Sequence, residues 1–256
     1  MRVLRRAAPQ ALISGGRPNV SAPWKLNATV GETRPCQRTD ASILSRSIHF
    51  HNSVECARIP GVMNDPHLVL ASQSPRRREL LKLLGIPFEV TVADVREAVR
   101  SEETPARLVT RLSRAKATSV DEESSGRPLV IGCDTVVAMD NGQGPARILG
   151  KPADSAEAAA MLRSLRGQEH TVYSAVTVSA DNREPETELA ATRLRMRPYT
   201  DAEIAAYVAS GDPLDKAGAY AIQHDGFHPV GKIDGCYTSV MGLPLCHLTR
   251  LLRRLG

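Results

Sequence analysis

The residues with the clearest potential for chemistry begin with a short segment that is rich in serine and arginine. Ser72-Gln-Ser-Pro-Arg-Arg77 follows an apolar run and opens a stretch with helical character. A helix N-terminus exposes unpaired N–H groups and a partial positive charge, both of which favour a bound anion. Ser72 and Ser74 add hydroxyl donors, and Arg76 and Arg77 add cations that suit phosphate oxygens. The alternative is that Ser74 only caps the helix and the arginines lie in solvent.

A second feature is an acidic residue inside an apolar strand. Asp134 lies in Ile131-Gly-Cys-Asp-Thr-Val-Val137. Burial of a carboxylate is costly unless a metal, a cation or hydrogen bonds compensate it, so we interpret Asp134 as a site residue rather than a turn cap. Lys116, Lys151 and Glu97 accompany it in the chain, although each taken singly is typical of a surface position.

A third segment, Asp215-Lys-Ala-Gly-Ala-Tyr-Ala-Ile-Gln223, contains small residues that leave the backbone open to close approach. Gln223, at the end of a predicted strand, carries an amide that can hydrogen-bond the edge of a base. A tightly packed turn followed by an edge strand is an equally good interpretation. Neither of the two close histidine pairs, His49/His51 and His224/His228, is part of a recognised metal-binding motif, and no Walker, GxGxxG or GxSxG motif is found.

The composition excludes several classes of protein. A chain of 256 residues with 42% apolar and 24% charged residues suits one or two folded domains. No run approaches the roughly 18–20 apolar residues of a membrane-spanning helix. Residues 1–62 hold nine of the 33 basic and three of the 28 acidic residues, so the remainder has a net charge of −1. Residues 63–256 therefore lack the excess of basic residues that is typical of a nucleic-acid-binding protein.

Residues 1–62 differ in kind from the rest of the chain. They contain no acidic residue before Glu32 and show neither helical nor strand periodicity. This composition is typical of a mitochondrial transit peptide. We favour the alternative, an extension upstream of a protein that begins near Met63, and we predict a disordered or targeting segment at 1–62 and a single domain at 63–256. The five cysteines lack CxxC or zinc-finger spacing, which predicts free thiols in a reducing compartment.

Elements that can position these residues alternate along the body. Predicted strands cover residues 67–71, 88–92, 129–139, 170–180 and 189–197, and predicted helices cover 76–84, 104–120, 155–165, 200–210 and, with an early interruption at Gly242 and Pro244, 236–255. A turn is predicted at 140–142, after the third strand. This alternation predicts an α/β fold with a mixed sheet.

Together these segments resemble the Maf family of nucleoside triphosphate pyrophosphatases. The resemblance extends from about residue 67 to the C-terminus and rests on LASQSPRRRELL (70–81), RLSRAKA (111–117), GCDTVV (132–137), LGKP (149–152), AMLRSLRGQEHTV (160–172), DKAGAYAIQ (215–223) and MGLPL (241–245). It implies a Maf/ITPase-like fold, in which helices flank a mixed twisted sheet with a central cleft.

The resemblance also implies an activity and a role for each candidate residue. The reaction would be hydrolysis of a nucleoside triphosphate to the monophosphate and pyrophosphate, with Mg²⁺ or Mn²⁺. Asp134 would be the proton acceptor, close to the metal, and Glu97 a second acidic metal or water partner. The residues that would hold and neutralise the phosphates are Ser72, Ser74, Arg76, Arg77, Lys116 and Lys151.

The same resemblance implies a substrate class. Arg76, Thr135 and Gln223 are similar to the branch that acts on dTTP and UTP, whereas a sister branch that prefers 7-methyl-GTP has Gln after the catalytic Asp and Glu at the position of Gln223. The neutral Gln223 amide suits the carbonyl and N–H edge of a pyrimidine. His224 and Asp225 follow it where the family commonly has Gly.

Two other functions stay open at this stage. One is the same reaction on 7-methyl-GTP or another modified nucleotide, and the other is a regulatory, nucleotide-binding role in septum formation. The presence of Asp134 with its lysines favours catalysis, because a binding module would not need a carboxylate beside a triphosphate. The resemblance implies a homodimer. We expect a cytoplasmic protein without nucleic-acid or membrane partners, or a mitochondrial one if residues 1–62 are a transit peptide.

Overall fold

A computed structural model describes residues 67–123, 128–140, 146–180 and 183–255, together with the short strand Thr39–Asp40. The predictions for residues 1–62 therefore lie outside the described residues, apart from that strand, as does the turn predicted at 140–142 beyond Asp140. Within the described ranges, no helix is both long enough and apolar enough to cross a lipid bilayer.

A mixed sheet of eight strands forms the centre of the fold. Its strands are β1 (Thr39–Asp40), β2 (Leu68–Ala71), β3 (Glu89–Thr91), β4 (Leu129–Met139), β5 (Arg147–Leu149), β6 (Glu169–Ala180), β7 (Glu186–Met196) and β8 (Val230–Asp234). The order is β1-β8-β7-β6-β4-β2-β3, with β5 paired to β4. β2 is parallel to β3 and β4, and the other pairs are antiparallel. The predicted α/β class with a mixed sheet is confirmed.

In the part of the chain that the structure describes, six α-helices pack around this sheet. They are α1 (Pro75–Lys82), α2 (Pro105–Glu123), α3 (Ser155–Leu165), α4 (Asp201–Ala209), α5 (Tyr237–Val240) and α6 (Leu245–Leu255). α4 begins with a capping box in which Thr200 and Glu203 satisfy each other's backbone N–H groups. The predicted terminal helix is two helices, because the turn at Gly242 and Pro244 separates α5 from α6.

The two faces of β4 pack against different elements. Ile131 and Cys133 belong to a buried cluster with leucines of α6, whereas Val136, on the opposite face, packs with Leu108 and Leu112 of α2. The side chains of a strand alternate between its faces, so Asp134 shares the α2 side with Val136, and Thr135 shares the other side with Cys133. Asp134 and Thr135 are adjacent in sequence, but this alternation places their side chains in different parts of one cleft.

The prediction that a strand ends at Gln223 is wrong. Asp212–Asp215 and Ala217–Ala219 form 3-10 turns, and Gln223 lies in a turn after them. Gly218 and Ala219 adopt positive φ angles of 71° and 59°, which are incompatible with extended backbone. The buried Lys216 ammonium binds the first turn, at 2.9 Å from Asp212 Oδ1 and 2.6 Å from Asp215 Oδ1. The strands β5 and β8 have no counterpart among the predicted elements.

Candidate active site

A cleft of about 480 Å³ opens where β2 ends. Ala71, the last residue of β2, pairs with Gly132 of β4, so Ser72 and Asp134 follow at the same edge of the sheet. The cleft is lined by all ten predicted site residues, namely Ser72, Ser74, Arg76, Arg77, Glu97, Lys116, Asp134, Thr135, Lys151 and Gln223. Residues that lie more than 150 positions apart in sequence thus meet around one space.

Three charged side chains form what we call the acidic cluster: Asp134, Lys116 and Glu97. The Lys116 Nζ atom donates to Asp134 Oδ1 at 2.8 Å and lies 2.6 Å from Glu97 Oε1. Lys116 and Asp134 are nearly inaccessible, with side chains 9% and 8% exposed, whereas that of Glu97 is 59% exposed. One ammonium therefore holds a buried carboxylate from β4 and an exposed carboxylate from the loop before α2.

A glycine in β4 makes this cluster possible. A Cβ atom at Gly132 would lie 2.1 Å from the Ser113 carbonyl oxygen and 2.6 Å from the Ala117 backbone nitrogen. These are backbone atoms of α2, so the helix can approach β4 this closely only because residue 132 has no side chain. The close approach brings Lys116, next to Ala117, within reach of Asp134.

A second ion pair fixes the loop that carries Glu97. The Arg111 guanidinium donates from Nε to Glu103 Oε1 at 2.7 Å and from Nη2 to the Ala98 carbonyl oxygen at 3.0 Å. Arg111 lies on α2, five residues before Lys116, and so ties the loop to the same helix. This positioning role was not predicted, although Arg111 begins RLSRAKA (111–117), one of the segments that carry the resemblance to the Maf family.

The carboxyl groups of the acidic cluster have different protonation behaviour. Burial raises the pKa of Asp134 above its ordinary value, and the charges of Lys116 and Arg77 offset this only in part. Burial also raises the pKa of Glu97, but the hydrogen bond and charge of Lys116, with Lys151 and Arg77, lower it overall. Asp134 is therefore the carboxylate better suited to accept a proton.

Next to this cluster, Arg77 is fixed at the N-terminus of α1. Its Nε donates to the Gly242 carbonyl oxygen at 2.9 Å, and its Nη1 donates to Ser72 Oγ at 3.2 Å. Ser74 occupies the N-cap position of α1 but makes no side-chain capping hydrogen bond. The Ser74 hydroxyl is thus not used as a cap, contrary to the simpler interpretation of this segment.

The other part of the cleft is mainly apolar. Its lining includes Val137, Val172, Tyr220, Ile222, Val240 and Met241. Tyr220 is held by a hydrogen bond of 2.8 Å between its hydroxyl and His170 Nε2, and burial lowers the pKa of His170 to about 4, so this imidazole is neutral at physiological pH. Gln223 lies on the rim of this apolar part. Such a surface fits a planar, uncharged group better than a phosphate.

Residues 67–255 match one protein family. The profile of the Maf-like protein family aligns with residues 67–255. The chain belongs to the Maf family. It is 47% identical over 191 residues to the dTTP/UTP pyrophosphatase of Geotalea uraniireducens (strain Rf4), an alignment that covers 74% of this chain and 95% of that relative. It is 45% identical over 190 residues to the dTTP/UTP pyrophosphatase of Pelotomaculum thermopropionicum, covering 74% and 96%.

Among solved structures, a HAM1 protein from Coxiella burnetii is similar at 16% identity and a TM-score of 0.40, over 74% of this chain and 98% of that one. The family membership predicted from the sequence segments is confirmed by the match of the Maf profile. Several residues of this Maf domain that fix the site were not predicted, among them Gly132, Arg111 and Tyr220. Each acts through a contact between distant segments, for which the sequence carries no local signal.

The acidic cluster of this Maf domain has the donors that a hard divalent cation requires. Its carboxylates come from Asp134 and Glu97, which converge on a single ammonium. No group of three or more His, Cys, Asp or Glu side chains converges in the part of the chain that the structure describes. Mg²⁺ is commonly bound by one or two carboxylates together with phosphates of the substrate, so two carboxylates beside a cleft lined by lysines and arginines fit this ion.

Proposed function

We propose that this protein hydrolyses nucleoside triphosphates to nucleoside monophosphates and pyrophosphate, with dTTP and UTP as its main substrates. The observation that carries the proposal is the buried Asp134 carboxylate, bound by Lys116, in a cleft with an excess of cationic side chains. Five lysines and arginines line this cleft, against three aspartates and glutamates. The names of the 45–47% identical relatives, dTTP/UTP pyrophosphatases, support the same reaction.

The proton acceptor in this reaction is Asp134. A water molecule attacks the α-phosphorus, its proton passes to Asp134, and the bond between the α-phosphorus and the bridging oxygen breaks to release pyrophosphate. Lys116 keeps the buried carboxylate ionised and oriented, because it donates directly to Oδ1 at 2.8 Å. The raised pKa of Asp134, caused by burial, brings its proton affinity closer to that needed of a general base near neutral pH.

The cationic side chains bind the phosphates and stabilise the leaving group. Arg76 and Arg77, in the first turn of α1, line the cleft together with Lys151. Negative charge moves onto pyrophosphate as the bond breaks, and cations that are already fixed in place stabilise this charge without reorganisation. Arg77 is fixed in this way by Gly242 and Ser72. Ser74, whose hydroxyl makes no cap, supplies a further donor.

We propose Mg²⁺ or Mn²⁺ as the cofactor, held by Asp134 and Glu97 together with the phosphates of the substrate. When bound, such an ion neutralises phosphate charge and favours displacement at phosphorus. Lys116, which lies between the two carboxylates, limits their repulsion before the ion and the substrate arrive.

The apolar part of the cleft is the proposed site for the base. Tyr220, Ile222 and Met241 offer surface to a pyrimidine ring, and Gln223 offers an amide with both a donor and an acceptor. Tyr237 takes part in fixing this amide: burial raises the pKa of the Tyr237 phenol, and a side-chain hydrogen bond with Gln223 partly offsets the rise. A neutral amide favours uracil and thymine over the cationic ring of 7-methyl-GTP.

A pyrophosphate-release assay with a panel of nucleotides tests the proposal. We expect wild type to act on dTTP and UTP, and Asp134→Asn to lose about a thousandfold in kcat, since a general base contributes on the order of 10²–10⁴. Asp201→Asn, which removes an exposed carboxylate at the start of α4, is the matched control and retains wild-type rates. Nucleotide binding without pyrophosphate release by wild type would contradict hydrolysis and favour the regulatory role.

We further propose that the protein acts as a homodimer in the cytoplasm, as the family resemblance implies. Sedimentation velocity tests the first part, with a single species of twice the 27.7 kDa chain mass expected. N-terminal sequencing of the native protein tests the second. A native chain that begins at Met63 would support a start there, whereas one that begins at a residue other than Met1 or Met63 would indicate cleavage and favour mitochondrial targeting.

A further inference from the structure

A buried tyrosine outside the acidic cluster holds the turn that carries Gln223. The Ala221 carbonyl oxygen accepts from the His224 backbone N–H at 3.4 Å, which closes a turn with Ile222 and Gln223 at its central positions. At the start of this turn, the Ala221 N–H donates to the hydroxyl oxygen of Tyr207 at 2.9 Å. Tyr207 is a buried residue of α4. A side chain from α4 therefore fixes the backbone of a turn whose residues 221–223 line the cleft.

The partners of the Tyr207 hydroxyl decide the direction of its two hydrogen bonds. The Ala221 N–H can only donate, so Tyr207 accepts from it. An ionised carboxylate can only accept, so the single hydroxyl hydrogen goes to Asp212 Oδ2 at 2.7 Å. Burial raises the pKa of Asp212, but hydrogen bonds from Tyr207 and Lys216 and the charge of Lys216 lower it overall, which keeps this carboxyl ionised. The hydroxyl is therefore held with a lone pair toward the turn.

Lys216 lines the cleft, but its hydrogens are used within this network. Its Nζ atom donates to the Asp212 carbonyl oxygen at 2.5 Å, to Asp212 Oδ1 at 2.9 Å and to Asp215 Oδ1 at 2.6 Å. An ammonium group has three hydrogens, so none remains for a phosphate. Lys216 thus orients Asp212, which in turn orients the Tyr207 hydroxyl.

Aromatic packing keeps the Tyr207 ring in place. It stacks on Phe227 with ring centroids 4.4 Å apart and an interplanar angle of 19°, and Tyr199 packs on Phe227 at 4.8 Å. The buried Tyr199 hydroxyl donates to the Leu162 carbonyl oxygen of α3 at 2.7 Å. Two tyrosines of one cluster therefore have buried, bonded hydroxyls, and the bond of Tyr207 is the one that reaches the turn.

We infer that Tyr207 is a positioning residue for nucleoside binding: its hydroxyl holds the turn of residues 221–224 in the form that contacts the nucleoside part of the substrate. Without the hydroxyl, the Ala221 N–H has lost its acceptor, and a ligand that contacts the turn must restore its conformation on binding. That cost lowers the affinity for such a ligand. A ligand made of phosphates alone does not incur it. The inference rests on the proposed function for the position of the base and adds a residue that acts on it through the turn.

The experiment compares two ligands that share the phosphates and differ in the nucleoside. We would titrate the full-length protein, with Mg²⁺, with the α,β-imido analogue of UTP, which is not cleaved at the proposed bond, and with inorganic tripolyphosphate. Tyr207→Phe keeps the ring and its stacking on Phe227. We expect it to raise the dissociation constant of the uridine analogue about five- to tenfold, as for one neutral hydrogen bond, and to leave that of tripolyphosphate unchanged.

Tyr199→Phe is the matched control. It removes a buried, bonded hydroxyl from the same aromatic cluster, so it is expected to lower the melting temperature while both dissociation constants stay at the wild-type values. Amide hydrogen exchange of wild type, followed by NMR, tests the bond to the turn without any substitution. The Ala221 N–H is expected to be protected from exchange, because it is bonded to Tyr207.

Four results would overturn the inference. They are an unchanged affinity of folded Tyr207→Phe for the uridine analogue, an equal loss of affinity for both ligands, the same selective loss in Tyr199→Phe, and unprotected exchange of the Ala221 N–H in wild type.

Failure of the proposed function has a different signature. A wild type that binds the uridine analogue no more tightly than tripolyphosphate would contradict the proposed site for the base, and with it the inference. The expected selective loss in Tyr207→Phe, in a protein that releases no pyrophosphate from UTP, would contradict hydrolysis and leave the role of Tyr207 supported.

Discussion

Two networks of charged side chains in this protein look alike as sets of contacts but differ in their surroundings. One is the acidic cluster of Asp134, Lys116 and Glu97 in the cleft. The other, which we call the α6 cluster, joins two arginines of α6 to two glutamates of β7, and consists of Arg250, Arg254, Glu186 and Glu188. Its arginine side chains are about half exposed, whereas Lys116 is 9% exposed.

The surroundings determine what each network does to its carboxylates. Burial raises the pKa of Glu188, but hydrogen bonds from Arg250 and Arg254 outweigh it, and the pKa is lowered overall. For Asp134 the balance is reversed, since burial outweighs the contributions of Lys116 and Arg77. The α6 cluster stabilises charge and links two elements. The acidic cluster keeps a carboxylate ionised against the cost of burial, which makes it reactive toward a proton.

The largest expected effect is from breaking the buried ion pair. Lys116→Met leaves the Asp134 carboxylate buried without its cation, a change that costs about 3–5 kcal/mol of stability when the other partner of a buried pair remains. We also expect pyrophosphate release from UTP to fall at least about 100-fold, because a fixed cation has been removed from the site. Urea denaturation and steady-state kinetics measure the two effects.

Lys82→Met is the matched control for this variant. Lys82 is exposed on α1 and pairs with Glu79 at 2.8 Å, within one turn of the same helix. Its loss should change stability by less than about 1 kcal/mol. Equal effects of the two substitutions would remove the distinction between buried and exposed pairs on which the comparison depends.

The next effect concerns the approach of α2 to β4. Gly132→Ala introduces a methyl group 2.1 Å from the Ser113 carbonyl oxygen, and the backbone of α2 must move to accommodate it. We expect a loss of about 1–3 kcal/mol or more in the free energy of unfolding, together with reduced activity as Lys116 moves away from Asp134. Gly231→Ala in β8 is the control, since its nearest contact is an ordinary 3.6 Å. Full activity in a stable Gly132→Ala protein would show that the close approach is not required.

A smaller effect sharpens the electrostatic account of the cleft. The negative charge of Glu97 adds to the rise in the pKa of Asp134 that burial causes. Because Glu97 is also a proposed metal ligand, the effect is measured in the protein without metal or nucleotide. Glu97→Gln removes the negative charge, so the pKa of the Asp134 carboxyl should fall there, and carbon-13 NMR titrations of the carboxyl groups between about pH 2 and pH 9 would show the shift. A pKa of Asp134 that stays in place or rises would contradict this electrostatic account of the cleft.

The smallest effect is expected in the α6 cluster. Glu188→Gln removes a carboxylate whose pKa is lowered in the folded state, so its contribution to stability is present above the unfolded value of 4.5 and is lost as the pH falls through the lowered one. We expect the variant to be about 1 kcal/mol less stable than wild type at pH 7 and equally stable in acid, with unchanged kinetics. A loss of activity would mean that the α6 cluster influences the cleft.

The sequence predicted the parts of this fold that depend on local pattern. The bounds of β4 and α3 agree with the predicted ranges 129–139 and 155–165, because a long apolar strand and a helix capped by Asp154 carry their own signals. The short strand β5 was missed because three residues carry too little pattern. The strand expected at Gln223 failed because positive φ angles at Gly218 and Ala219 are set by tertiary contacts.

The candidate site also divides into residues that a local sequence pattern reveals and residues whose role depends on tertiary contacts. The ten predicted residues that line the cleft were found through segments whose chemistry is visible in sequence, such as the two arginines after Ser74 and an aspartate inside a strand. Gly132 and Arg111 carry no such signal. The role of each depends on an atom more than four residues away: the backbone of a helix for Gly132 and the carbonyl oxygen of a loop residue for Arg111.

The central claim is that Asp134 directs a water molecule to the α-phosphorus of a nucleoside triphosphate in this cleft. Hydrolysis of UTP in water enriched in oxygen-18, followed by mass spectrometry of both products, tests it most directly. The account predicts that the label enters UMP and that pyrophosphate contains none. Label in pyrophosphate, or release of orthophosphate with UDP, would contradict it.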